Sequence, residues 1–363
     1  MARRLVLSLL LLAASAAALP ATAELPYGPA DFTRVRKFDA HVHANTDEPA
    51  FLEVARADNF ELLTINVDYP DFPALDVQAT VARELQRRDP ARIHYAATFS
   101  MAGWQAPGWA DRVNAALTEA VGQGAVAVKI WKNVGMVERD SSGALLSITD
   151  PALDPVARHI DALGVPLIAH QGEPHNCWLP LAEMTTDNDR SYFAEHPQYH
   201  MYLHPELPSY EQLMTARDQF VGRHPTLAFV GAHLASLEWN VDRLAGFLDT
   251  YPNAVVDMAA RMTQLQYQSV RDRAKVRDFL IRYQDRVLYG TDLTVEAHTR
   301  PDEVRREAHG FWVSDWTYLA TGKTQYVAAI RHTVPGLALP RSVIDKIYYR
   351  NARRVFIDRG PRR

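Results

Sequence analysis

The sequence predicts an α/β fold, an eight-stranded parallel barrel of the (β/α)8, or TIM, type, with long loops after strands 5 and 8. Three observations predict it. Eight short runs of β-branched and apolar residues recur along the chain, amphipathic stretches of helical period lie between most of them, and five of the runs end in a residue able to do chemistry. In a closed parallel barrel those carboxyl ends share one rim, where the site is built.

The strand-like runs are residues 35–41, 62–67, 93–99, 125–131, 165–170, 227–233, 254–258 and 286–291. The amphipathic stretches are 77–88, 109–121, 151–163, 210–222, 241–250 and 269–283, each with apolar residues three and four apart. Two connections are longer than a barrel requires. Residues 171–209 carry Trp178, Tyr192, Tyr199 and Tyr202, and residues 293–325 carry Trp312, Trp316 and Tyr318. Both read as lids that shape a substrate pocket, or equally as surface elaborations that could support a homodimer.

Residues 1–23 read as a secretory signal: Arg3 and Arg4, an apolar run from Leu5 to Leu19, then Ala21-Thr22-Ala23 as a small-residue cleavage site. The run is too short to span a bilayer. The expectation is a periplasmic or secreted protein with residues 24–363 as a single barrel domain and no membrane attachment after cleavage. The leader removes two arginines and no acids, leaving 37 basic against 43 acidic side chains. That excess disfavours nucleic acid as a partner and leaves a small molecule as the expected substrate. Cys177 is the only cysteine, so no intramolecular disulfide forms and packing supplies the stability.

Phe38-Asp39-Ala40-His41-Val42-His43 is the most informative stretch. Alternate side chains of a strand share a face, so His41 and His43, with Asp39 in the same row, can grip one ion. With fourteen histidines in the chain, one His-x-His is weak evidence alone. Its setting strengthens it, because four other runs end in Lys129, His170, His233 and Asp292. Imidazole and carboxylate ligands suit a divalent metal: zinc, or manganese or iron. Asp292 beside such an ion can take the proton from water. His196, His200 and His204 fall at four-residue spacing, but Pro197 and Pro205 interrupt them, and they read as ordinary hydrogen-bonding residues.

In Ala125-Val126-Ala127-Val128-Lys129-Ile130-Trp131 the small residues and the lysine share one face, which points Lys129 into the barrel. There it binds a substrate carboxylate or bridges two ions as a carbamate; one ion is the favoured count, two if Lys129 is carbamylated. Arg261 is placed to clamp a carboxylate or to pair with Asp257. Glu173, His175 and Trp178, soon after His170, are candidates for contact with substrate or for water-facing loop positions.

Together, Asp39-Ala40-His41-Val42-His43, Val128-Lys129-Ile130, Ile168-Ala169-His170, Gly231-Ala232-His233, Tyr289-Gly290-Thr291-Asp292 and the closing Ile347-Tyr348-Tyr349-Arg350-Asn351-Ala352-Arg353-Arg354-Val355-Phe356 make the chain resemble the amidohydrolase superfamily. Within it, the chain resembles the branch that holds aminocarboxymuconate semialdehyde decarboxylase, resorcylate decarboxylases, and related hydrolases and lactonases. The resemblance implies that His41, His43, His170 and Asp292 hold the catalytic metal, with His233 as an acid/base group. It implies a metal-dependent hydrolase acting on a small ester, lactone or amide. The alternative is a non-oxidative decarboxylase of a small organic or aromatic acid, and a further one is a secreted binding protein that has kept the barrel without turnover.

Overall fold

A computed structural model of the chain describes residues 25–358. The leader expected at residues 1–23 lies outside the described residues, and among these no helix is long and apolar enough to cross a membrane. The strands are β1 (Lys37–Ala44), β2 (Phe60–Ile65), β3 (Ile93–Thr98), β4 (Ala127–Ile130), β5 (Leu167–Ala169), β6 (Phe229–Gly231), β7 (Ala254–Asp257), β8 (Val287–Leu288) and β9 (Leu293–Val295). All pair in parallel in the order β8-β7-β6-β5-β4-β3-β2-β1-β9, with helices packed outside, as expected of an α/β barrel.

β8 and β9 are two halves of one stave, broken at Tyr289–Asp292. Across the break, Ala40 N donates to Tyr289 O at 2.9 Å and Asp292 N to His41 O at 2.8 Å, so the last stave closes on the first. β9 then continues along β1, with Val42 opposite Leu293. The closing motif of the chain seals this seam from below. Asn351 Nδ2 donates to Val287 O at 2.8 Å and to Gln284 O at 2.7 Å, while Ala352, Val355 and Phe356 pack against the inner residues Phe38, Ala40 and Leu288.

Simple alternation fails inside β1. Phe38 and Ala40 belong to the apolar interior with Leu63, Ala127, Ile168 and Val230, whereas Val42 packs outward among the helices. The register slips between Asp39 and Val42. This bulge turns His41 and His43 onto the side that Ala40 faces and sends Asp39 the other way, toward Trp312 Nε1 at 2.9 Å. Asp39 therefore does not share the row of the two histidines, contrary to the sequence expectation.

The two long connections differ in kind. The first folds into short helical turns and the helix Asp187–Glu195 around a small core of Cys177, Met184, Phe193 and Met201, and caps one side of the barrel mouth. The second is mostly the helix Pro301–Ala320, laid against the helix Ala50–Ala57. Trp312, Trp316 and Tyr318 lie buried in the main core, so these aromatics are packing residues and not the lid that their number suggested.

Candidate metal centre and substrate cavity

At the carboxyl rim a cavity of about 690 Å³ is lined by His41, His43, Lys129, His170, Glu173, His233, Arg261 and Asp292. At its floor, His41 Nε2 lies 3.3 Å and His43 Nε2 3.2 Å from Asp292 Oδ1. The three potential ligand atoms all fall within 4.8 Å of one another. The opposite ring nitrogens are already engaged: His41 Nδ1 with Asp257 Oδ2 at 2.9 Å, and His43 Nδ1 with Ile65 O at 2.8 Å. A carbonyl or carboxylate oxygen only accepts, so each Nδ1 carries the proton and each Nε2 turns a lone pair inward.

Two lone pairs and a carboxylate oxygen thus converge on one point, an arrangement that a divalent cation resolves. Burial, together with the charge of Lys129, pulls the His41 pKa down against the opposing pull of Asp257 and Asp292, which favours the neutral form that a ligand needs. His170 supplies a further observation in the same sense. Its Nε2 is buried with no hydrogen-bond partner, a cost native folds avoid unless something else fills the place. Its ring stands 4.2 Å from that of His233, outside the close trio of His41, His43 and Asp292. The donor set fits zinc, manganese or iron.

His233 reaches the cavity from the turn after β6. Its Nδ1 lies 2.9 Å from Ala259 O, which leaves Nε2 as its free nitrogen, and burial lowers its pKa well below the ordinary value. Lys129 Nζ is 3.4 Å from His41 Nε2 and fully buried; desolvation brings the ammonium down to about 8, against Asp257 and Asp292, which favour the charge. No carboxylate lies within ion-pair distance of Lys129 among the described residues. The same holds for Arg261, 8 % exposed, whose Nε is buried without a partner and whose Nη1 is spent on Ala260 O at 3.0 Å. Glu173 is not free, because Lys132 binds it directly. One wall is aromatic: Phe72 meets the His43 ring edge at 5.1 Å and Tyr69 at 5.2 Å, and Tyr69 packs on Trp131 at 4.8 Å.

Two expected substrate contacts do not reach the cavity. His175 stacks on Trp239 at 4.4 Å, and Trp178 packs on Tyr210 at 5.4 Å while its Nε1 donates to Pro208 O at 3.3 Å. Both brace the first long connection, because the chain turns away from the cavity after Pro174. His196, His200 and His204 each meet a backbone carbonyl, at 2.9, 2.9 and 3.0 Å.

Asp257 is the site residue that sequence reasoning passed over. It ends β7 and binds His41 through Oδ2 while Oδ1 accepts His233 N at 2.9 Å and Ala259 N at 3.1 Å. The signal was present, an acid at the wet end of an apolar strand, but its partner lies 216 residues away. The backbone here is also unusual. Asp292, Ala260 and His233 sit at φ of 70°, 55° and 59°, the left-handed region, which costs a side-chain-bearing residue about 1–3 kcal/mol each.

A model of the amidohydrolase family matches residues 38–357. No curated protein matches the chain by sequence. Among solved structures, 2,6-dihydroxybenzoate decarboxylase from Rhizobium is similar with a TM-score of 0.51 at 15% identity, over 89% of this chain and 98% of that one. A probable 2-pyrone-4,6-dicarboxylic acid hydrolase from Acinetobacter baumannii gives 0.49 at 10% identity, over 88% and 99%. A 5-carboxyvanillate decarboxylase from Novosphingobium aromaticivorans, complexed with manganese, gives 0.47 at 12% identity, over 93% and 99%.

Proposed function

The chain belongs to the amidohydrolase family, a group of divalent-metal-dependent enzymes, and from that premise we propose that it hydrolyses a small carboxylated ester, lactone or amide. The observation that carries the reading is the convergence of His41 Nε2, His43 Nε2 and Asp292 Oδ1 within 4.8 Å of one another while both Nδ1 atoms are engaged elsewhere. His41, His43 and Asp292, with His170 beside them, would hold the ion, zinc in the first instance. A divalent ion bound here would supply Lewis acidity and lower the pKa of water towards neutrality.

The protein groups do the rest. Asp292 keeps 29 % of its side chain open to the cavity, and its second oxygen accepts no hydrogen bond from the described residues, so it can receive a proton from water. The proton that Asp292 takes from water goes on to the leaving oxygen or nitrogen, and His233, with Nδ1 held by Ala259 and Nε2 unprotonated, can accept it and pass it on. Lys129 stands where negative charge builds on the attacked carbonyl, in a dry setting that strengthens its effect. Arg261, with no acidic partner among the described residues, clamps a carboxylate carried by the substrate, and the wall of Tyr69, Phe72 and Trp131 suits a flat substrate body.

The experiment is metal analysis of the purified protein with turnover of a panel of lactones, esters, amides and aromatic carboxylates, comparing wild type with Asp292→Asn. Hydrolysis consumes water and yields an acid; carbon dioxide release without net water uptake selects the decarboxylase instead. Asp292→Asn is expected to fold and lose turnover, and a fully active variant removes Asp292 from the mechanism. We also propose export through residues 1–23 to the periplasm or the medium, which cell fractionation with mass measurement of the mature N-terminus checks.

A further inference from the structure

His233, Leu234, Ala235 and Ser236 follow one another at φ of 59°, 57°, 54° and 54°. L-residues take this conformation singly, and a run of four without glycine needs outside support. The preceding strand accommodates the fold-back only because residue 231 is glycine: a Cβ there would come within 2.6 Å of the Ala235 Cβ.

The support comes from the helix Tyr210–Arg223. Arg217 Nη1 donates to Ala235 O, and Tyr210 OH donates to Ser236 O at 2.5 Å. Ser236 Oγ donates to Gly172 O at 2.9 Å, two residues beyond His170, so the turn also ties the His233 loop to the His170 loop. Arg217 is 2 % exposed, its guanidinium lies 4.5 Å over the Phe247 ring, and its Nε and Nη2 bind Asp218 Oδ1 at 2.8 and 2.6 Å. Trp239 Nε1 donates to Tyr210 OH at 2.9 Å, and His175 stacks on Trp239, which gives that histidine a place behind the turn in place of the substrate contact expected of it. A buried guanidinium aimed at one carbonyl is a costly fixture whose evident product is the shape of this turn.

We propose that Arg217 is a positioning residue for His233: by holding the Ala235 carbonyl it fixes the left-handed turn that aims the imidazole into the cavity. The kinetic consequence rests on His233 serving proton transfer, as above; the geometric consequence does not.

The test is a set of crystal structures of the zinc-loaded wild type, Arg217→Met and Arg217→Lys, with zinc affinity and steady-state kinetics on the substrate that the panel identifies. In Arg217→Met, residues 233–236 are expected to leave the left-handed region and the His233 ring to move away from His170. Zinc affinity is expected to fall less than kcat, because Arg217 bonds to none of His41, His43 and Asp292 and reaches the ion only through the Ser236 tie to the His170 loop and the His233 bond to Asp257. The kcat falls about 10- to 100-fold with KM within about threefold, the pattern of a misplaced group acting in the transition state. Arg217→Lys, which retains one donor, recovers part of both. A folded Arg217→Met with the turn still left-handed and His233 in place overturns the proposal. If Arg217→Met does not fold, Arg217→Lys carries the test: residues 233–236 still left-handed with His233 in place although the Ala235 carbonyl has lost its side-chain donor overturns the proposal, and a turn that shifts with the lost bond, or holds where the bond holds, supports it. A displaced His233 with undiminished turnover leaves Arg217 as the positioning residue and removes His233 from the chemistry.

Discussion

Asp257 holds His41 in place: its Oδ2 lies 2.9 Å from His41 Nδ1, a bond from the end of β7 to β1 past the single stave between them. Burial pushes this carboxyl up, but His41 and His233 outweigh it and bring it down to about 2, so it is ionised throughout the physiological range. A carboxylate behind a ligating imidazole fixes its tautomer and raises its basicity. Asp257→Asn can still accept from Nδ1 but lacks the charge, and is expected to lower zinc affinity about 10- to 100-fold with the fold retained. Competition titration with a metal-sensitive dye measures it; an affinity equal to wild type would separate Asp257 from the metal site.

Much of this architecture was legible in the chain. Each of the eight apolar runs contains or overlaps a strand, because parallel strands buried on both faces read as short continuous apolar runs. The polar residues ending those runs gather at one rim for the same topological reason. The helix Pro301–Ala320 was missed although Pro301 at its start, Asp302 and Glu303 in its first turn, and Val304, Ala308, Trp312, Trp316 and Leu319 at helical spacing announce it. The aromatics drew attention to a lid instead. The bulge in β1 and the left-handed turn at His233–Ser236 had no local signal: neither contains glycine, and both are imposed by bonds from distant segments. For the same reason Asp257 was visible as an acid but not as the partner of His41.

Metal removal should register in stability as well as in turnover. An ion that binds only the folded state stabilises it by about 2.7 kcal/mol at one hundred times its Kd. Chelator-treated protein is therefore expected to melt at a lower temperature, and zinc or manganese to restore both melting temperature and activity. His43→Ala, which deletes one of the converging Nε2 atoms, should fold yet show no metal-induced rise. A rise equal to that of wild type would place the ion elsewhere.

Asp315 carries a pH signature of its own. It accepts Tyr289 OH at 2.9 Å in a fully enclosed position; burial raises its pKa to about 7, with the Tyr289 bond opposing and Asp39 nearby adding to the rise. In the unfolded chain the value is about 3.9. Between the two, the folded state holds a proton that the unfolded state has lost, so the contribution of this residue is full below about pH 4 and is lost as pH rises through about 7. Asp315→Asn removes the ionisation, and its melting temperature relative to wild type is expected to climb from pH 5 to pH 8.5. Thermal melts across that range check it, and a difference that does not vary with pH would show that Asp315 does not titrate there.

Neighbouring residues of the helix Pro301–Ala320 face different surroundings and should respond differently. Phe311 is 53 % exposed at the rim of the cavity, while Trp312 is fully buried, stacks on Phe60 at 4.2 Å and donates to Asp39 Oδ2 at 2.9 Å. Removing the Trp312 ring empties a packed core position and takes from Asp39 Oδ2 one of its two donors, Thr291 Oγ1 remaining, so Trp312→Ala is expected to cost about 3–5 kcal/mol in denaturant unfolding. Phe311→Ala is expected to leave stability within about 0.5 kcal/mol and instead to raise KM, because the ring is half exposed and lines the cavity. Were Phe311→Ala the destabilising change and Trp312→Ala the kinetic one, the helix would be rotated by about 100° from its place here, and the second long connection would be a lid after all.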